Sequence, residues 1–156
     1  MINHSPACER NKEIIGQHLS EVFAASRQIL EIGSGSGQHV LHFAGLMPHA
    51  NWQPMDMADY FPGLQANLQQ SAANILEPVQ LDLTNSPWLP QQQFDGLFSA
   101  NTLHIMSWSH VIEFFVRAGK QLQPQGKLCI YGPFKYNGQF TSPSNAEFEL
   151  WLKSRD

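Results

Sequence analysis

Glu31 is followed by Gly33, Gly35 and Gly37 at strict two-residue spacing. Alternating glycines let a chain turn through conformations closed to other residues and leave its N–H groups uncovered by side chains. Such a turn can hold a small polar ligand by its main chain, and the acid at its head offers a carboxylate. The flanking residues say what positions it. Ile29, Leu30 and Ile32 read as a short, fully buried strand in which Glu31 is the one carboxylate. Val40, Phe43, Ala44 and Met47 follow at helical spacing, and Pro48 stops the helix. Strand, glycine turn and helix make the first half of a nucleotide-type βαβ unit. The free N–H groups of the helix start point at whatever lies over the turn.

Spacing separates the candidate ligands. A dinucleotide fingerprint, G-x-G-x-x-G, needs its third glycine at position 38, which is Gln38. No G-K-[ST] follows the first glycine as a phosphate loop requires. A turn with no ligand is the plain alternative, but three alternating glycines cost conformational entropy without return. What stands is E-x-G-x-G-x-G, which resembles motif I of the class I S-adenosylmethionine-dependent methyltransferases. The resemblance implies that Glu31 holds the methionine amino end of S-adenosyl-L-methionine. It also implies that the backbone of Gly33, Ser34, Gly35 and Gly37 packs against that cofactor.

Composition bounds the rest. The 156 residues suit one domain with a real core, and 42% hydrophobic against 14% charged residues excludes a disordered chain. A formal net charge of −4 disfavours a large nucleic-acid substrate. Cys8 and Cys129 lie far apart without metal spacing and read as reduced thiols. No apolar run reaches membrane length, and the expected location is the cytoplasm.

Ser5 and Pro6 signal a helix from about residue 7 to 25, with Ile15, Leu19, Val22 and Phe23 as its apolar stripe. Its first turns carry Glu9, Arg10, Asn11 and Lys12, either a solvated helix start or a polar lip over the ligand pocket. Residues 51–56 read as strand two. Asp56, 19 residues beyond Gly37, sits where an acid accepts ribose hydroxyls, or else caps the next helix. Pro54 predicts a bulge or a late strand start. Leu64, Leu68 and Ala72 mark a helix over 59–73, and residues 79–83 read as strand three, with Asp82 at its end. An Asp there serves equally as a turn former.

Residues 84–93 show no helix pattern. Ten extended residues reach roughly 33 Å, enough for the ~22 Å crossover from strand three to strand four. Strand four is 94–100. The next helix carries Val111, Phe115, Ala118 and Leu122 at i, i+4, i+7 and i+11, a turn follows at 123–126, and strand five is 127–132. Residues 133–143 read as a loop with no strand after Phe134. Ser144 to Glu147 reads as a capping box, with Phe148, Trp151 and Leu152 the stripe of a last helix.

Further segments resemble one small methyltransferase-like family of unknown function, over nearly the whole chain. They include residues 6–13, 31–44, 52–56, 100–108, 131–134 and 141–147. The expectation is a single α/β domain over 1–156, a Rossmann-like doubly wound parallel sheet of order 3-2-1-4-5 with helices on both faces. Relative to that family the C-terminal strands six and seven are missing, and the chain reads as shortened. The resemblance gives S-adenosyl-L-methionine as cofactor, with Glu31, Gly33, Ser34, Gly35, Gly37, Asp56, Asp82, Leu83, Asn101 and Asn11 as its expected contacts. In the family Asp82 would meet the adenine amino group.

Methyl transfer is an in-line displacement that positioning alone can accelerate. If a base exists it is His104, just after strand four on the ligand-binding side of the sheet; a histidine hydrogen-bonded in its loop is the plain alternative. Asn101 and His104 border the expected acceptor, with Tyr131, Tyr136 and Asn145 as further candidates. His39 and His42, i and i+3 on the first unit's helix, lack a third metal ligand, so no metal is expected. The expected function is methyl transfer to a small molecule. A degenerate cofactor-binding module acting through a protein partner is the alternative, and an oxidoreductase is disfavoured by the glycine register. Strand five, apolar over residues 128–131, is expected to be an edge masked by a second copy or by the 133–144 loop.

Overall fold

The computed structural model describes residues 1–82 and 88–154. The elements are α1 (Pro6–Val22), β1 (Gln28–Ile32), α2 (Gln38–Leu46), β2 (Asn51–Asp56), α3 (Phe61–Leu68) and β3 (Val79–Gln80). After the link come β4 (Phe94–Ala100), a 3-10 turn (Leu103–Ile105), α4 (Trp108–Gln121), β5 (Leu122–Tyr131), β6 (Lys135–Tyr136), β7 (Gln139–Phe140) and α5 (Pro143–Lys153). The main sheet is parallel, in the order β3-β2-β1-β4-β5, as the sequence predicts.

Side-chain alternation divides the core in two. Ile29, Trp52 and Phe98 pack on one face with Leu19 of α1, Phe43 of α2 and Leu64 of α3. Leu30, Ile32 and Leu97 pack on the other with Phe114 and Ala118 of α4. Polar groups fix the element ends. Asp95 accepts from Arg27 and Gln28 N–H at 2.8 and 3.0 Å and anchors the start of β1. Ser5, Ser107 and Ser142 cap α1, α4 and α5. No described helix is long and apolar enough to cross a membrane.

Several boundaries and faces differ from expectation. α1 ends at Val22, with Phe23 as its buried C-cap, and α3 is shorter than 59–73. Pro54 neither delays β2 nor breaks its pairing, which runs from Gln28↔Asn51 to Ile32↔Met55. The irregularity falls on the other side. From Trp52↔Ile75 to Met55↔Val79, three steps along β2 face four along its neighbour. Gln53 Nε2 donates to Glu77 O at 2.7 Å there, a side-chain donor in a ladder where proline has none.

The predicted α4 stripe is off by one residue at its centre. Phe114 is buried and Phe115 is half exposed, because α4 carries two adjoining apolar stripes and periodicity alone does not say which meets the sheet. β5 starts at Leu122 and absorbs the predicted turn, its register to β4 shifting between Phe94 and Gly96. Gln121, fully buried, closes the link by accepting from Leu89 N–H and donating to Leu89 O and Gln92 O.

The reading of 133–143 as strandless is corrected. β6 and β7 pair antiparallel through Asn137 and Gly138, both at positive φ (53° and 77°), the geometry that an Asn-Gly dipeptide favours. This hairpin is a separate sheet and does not extend the main one, in which β5 is the last of the described strands.

Candidate active site at the glycine turn

The carboxyl ends of β1, β2 and β4 converge on the glycine turn. Gly33 and Ser34 N–H both donate to Met55 O at 3.0 Å, which fastens the turn to β2. Gly33 lies at φ +77°, and a Cβ there would stand 2.4 Å from Thr102 Oγ1. Gly37 lies at φ +82°, with Leu68 3.0 Å from where its Cβ would be. Gly35 differs. Its φ is +57°, and nothing lies within 4 Å of a Cβ built on it. That open side faces a cavity of about 760 Å³.

Five of the expected cofactor contacts line this cavity, Asn11, Gly33, Ser34, Gly35 and Asn101, together with the candidate base His104. Tyr131 and Asn145 line it too, whereas Tyr136 is exposed on the hairpin. Glu31, Gly37, Asp56 and Asp82 do not line it. Gly37 is packed against α3, and Asp82 is exposed. Leu83 lies outside the described residues.

Asp56 is buried behind the turn. Its Oδ2 accepts from Gly35 N–H at 2.5 Å and its Oδ1 from Met57 N–H at 2.7 Å. Burial raises its carboxyl above the ordinary range, against the pull of those two bonds. Glu31 is 2% exposed and its Oε2 has no hydrogen-bond partner. Loss of solvent pushes its pKa up to about 7, with Asp56 adding a smaller like-charge repulsion. Cys8, on the cavity wall, is the thiol that feels Glu31's charge.

The N-terminal segment closes one side. His39 is buried, stacked on Phe43 at 5.2 Å, and its Nε2 lies 2.8 Å from Asn11 Oδ1. Since Oδ1 only accepts, Nε2 carries the proton. Burial, then the neighbouring His42, lowers its pKa to about 4, so it is a neutral packing group. Gln38 bridges the turn, through Ser36, to the start of α1, through its N-cap Ser5 and first-turn Glu9. Spacing put no role on Gln38, Ser36, Cys8 or Tyr60, because side chain–main chain contacts leave no periodic trace. Arg10 is the one permanently charged side chain in the described lining.

At the far wall Asn101 holds a left-handed φ of 54°, and its N–H donates to Tyr131 O at 2.9 Å. Asparagine tolerates that region better than most residues. His104 is part-buried, its pKa lowered by burial, its ring edge-on to Phe148 of α5 at 5.1 Å. A neutral imidazole thus stands at the end of β4, across from the glycine turn.

An O-methyltransferase family protein from Burkholderia thailandensis superposes with a TM-score of 0.77 at 19% identity, over 93% of this chain and 45% of that one. Human N-acetylserotonin methyltransferase in complex with SAM gives 0.71 at 15%, over 92% and 44%. The glycopeptide N-methyltransferase MtfA complexed with sinefungin gives 0.64 at 15%, over 74% and 47%. The chain therefore has the methyltransferase Rossmann-like fold, and it spans less than half the length of these structures. The family model described as "Protein of unknown function (DUF938)" matches residues 2–156, and the chain belongs to that family.

Proposed function

We propose that this chain binds S-adenosyl-L-methionine at the glycine turn and transfers a methyl group to a small-molecule acceptor. The observation that carries the reading is the pair formed by Gly35 and Glu31. One opens into the cavity with no side chain, and the other keeps a buried carboxylate oxygen without a partner behind it. An ammonium group is the natural partner for that oxygen. The main chain of Gly33, Ser34 and Gly35 would hold the cofactor, with Asn11 and Asn101 at its sides. Arg10 supplies charge for a carboxylate. Asp56 braces the turn through Gly35 and keeps unused lone pairs for a ribose diol. Asp82 and Leu83 would serve the adenine end.

When bound, this cofactor supplies an electrophilic methyl on a sulfonium. His104, neutral near pH 7, accepts the O–H or N–H proton that the acceptor loses, while Asn101 and Tyr131 set the wall against which the acceptor lies. A cofactor-binding module that acts through a protein partner is the alternative, and the exposed apolar flank of α4 favours keeping it.

Calorimetry with S-adenosylhomocysteine tests the first step. Binding of the product to wild type is expected, and its absence in folded protein sinks the reading. Turnover on a metabolite panel, lost in His104→Ala with product binding retained, separates an enzyme from a binding module.

A further inference from the structure

We propose that His39 is a positioning residue for the amino-acid end of the cofactor: its ring holds the Asn11 carboxamide with the NH2 group facing the glycine-turn cavity, where it receives a carboxylate. This rests on the reading of the turn as an S-adenosyl-L-methionine site and adds how one end of that ligand is recognised.

Asn11 sits on the second turn of α1 and is 8% exposed, yet it lines the cavity. Its Oδ1 is taken by His39 Nε2 at 2.8 Å. Its Nδ2 makes no hydrogen bond among the described residues. A primary amide this deeply buried rarely leaves both N–H groups unused. The hydroxyls nearer the turn are already spent. Ser36 Oγ donates to Gln38 Oε1 at 2.8 Å, and Ser34 Oγ to Glu31 O at 3.4 Å. Asn11 thus keeps free donors on the α1 wall of the cavity.

The ring decides which way the amide points. An asparagine side chain can turn over, exchanging oxygen for nitrogen with almost no change of shape. With oxygen toward the cavity, Asn11 would repel a carboxylate. His39 removes the choice. Its ring is clamped, stacked on Phe43 at 5.2 Å and edge-on to Phe98 at 6.0 Å, so Nε2 keeps its aim. Burial keeps the ring neutral, with a single proton. With that proton on Nε2, Asn11 offers oxygen to the ring and nitrogen to the cavity.

Location selects the ligand group. Cys8 precedes Asn11 by three residues on the same side of α1, and it lies close enough to Glu31 to feel its charge. Glu31 Oε2 is the buried oxygen without a partner. A zwitterionic amino acid carries ammonium and carboxylate on one carbon. A ligand that sets its ammonium against Glu31 therefore brings its carboxylate toward the adjoining α1 wall, where Asn11 and Arg10 stand. Hydrogen bonds to a charged group are among the stronger ones. They also select, because a ligand lacking the carboxylate leaves the buried amide unpaired.

Calorimetry with two probes tests this: S-adenosylhomocysteine and its decarboxylated analogue, which keeps only the ammonium. Asn11→Leu should weaken the first by roughly tenfold or more, the usual worth of a hydrogen bond to a charged group, and leave the second unchanged. His39→Phe can still stack on Phe43 but has no donor, and should do the same. His39→Gln, whose amide can reach Asn11, should restore most of the affinity. The double variant should lose no more than Asn11→Leu alone, since His39 acts through Asn11. Nitrogen NMR of the free wild type should find the proton of His39 on Nε2. A proton on Nδ1 overturns the proposal. So does full S-adenosylhomocysteine affinity in folded His39→Phe, or an equal loss for both probes in Asn11→Leu. A wild type that binds neither probe sinks the cofactor reading itself and this inference with it.

Discussion

Gln38 and Ser5 exchange two hydrogen bonds: Ser5 N–H donates to Gln38 Oε1 at 2.6 Å, and Gln38 Nε2 donates back to Ser5 O at 3.2 Å. The same amide also accepts from Ser36 Oγ at 2.8 Å and donates to Glu9 Oε1 at 2.6 Å. The position where a dinucleotide loop would need glycine thus ties the turn to the start of α1. Gln38→Leu keeps much of the volume and strands those partners. The expected loss is about 1–3 kcal/mol of stability, the usual cost of unpaired buried groups. Urea melts check the loss, and amide exchange should quicken around Ser5 and Cys8 before it does in β1.

Glu31 makes stability pH-dependent. Burial holds its carboxyl near 7 in the folded chain, against an ordinary 4.5 unfolded. Below the lower value both states are protonated and nothing is lost. As pH rises through the window between them, the unfolded state ionises first and the fold weakens. The full difference is on the order of 3 kcal/mol. Glu31→Gln should remove that slope and be more stable than wild type at pH 8. Urea midpoints from pH 4 to 8 check it, and parallel slopes for the two proteins would show that Glu31 does not titrate there. A bound ammonium should favour the ionised form, so cofactor uptake near pH 6 should release protons, measured as a buffer-dependent heat.

His39 works in the opposite sense. Its folded pKa lies near 4, below the ordinary 6.5. Above 6.5 neither state is protonated. As pH falls from 6.5 toward 4 the unfolded state gains a proton that the buried ring refuses, and stability declines. His39→Gln, which can still donate to Asn11, should flatten this acid limb. Between 4.5 and 6.5 the two slopes oppose, so each single variant should uncover the other's. A wild-type curve unchanged by either substitution would contradict both assignments.

How much of this was readable beforehand depends on the kind of contact. The β1–turn–α2 unit and the sheet order follow from apolar runs and glycine spacing, and topology then brings Gly35 and His104 to one cavity because ligands bind at the carboxyl ends of parallel strands. Phe114 and Phe115 could not be ranked, since either stripe of α4 satisfies the helical period. Asp56 was placed by spacing, but its grip on Gly35 N–H depends on turn geometry that spacing does not contain. The β6–β7 hairpin is different: Asn137-Gly138 carries the signal plainly, and the surrounding Pro and Ser residues masked it.

Gly35 and Gly33 should separate ligand binding from folding. Both hold positive φ, so alanine at either carries backbone strain of about 1–2 kcal/mol. Their surroundings differ. At Gly33 the new methyl would overlap Thr102 Oγ1 at 2.4 Å, and the hydroxyl is held by Ala100 O at 3.1 Å. Gly33→Ala must therefore shift the end of β4 and should melt well below Gly35→Ala. At Gly35 the methyl meets nothing of the protein and stands in the cavity. Gly35→Ala should fold with only the strain cost and yet lose affinity for S-adenosylhomocysteine by tenfold or more. Thermal melts with calorimetry on both variants check this. Full product affinity in a folded Gly35→Ala protein would move the cofactor away from the turn.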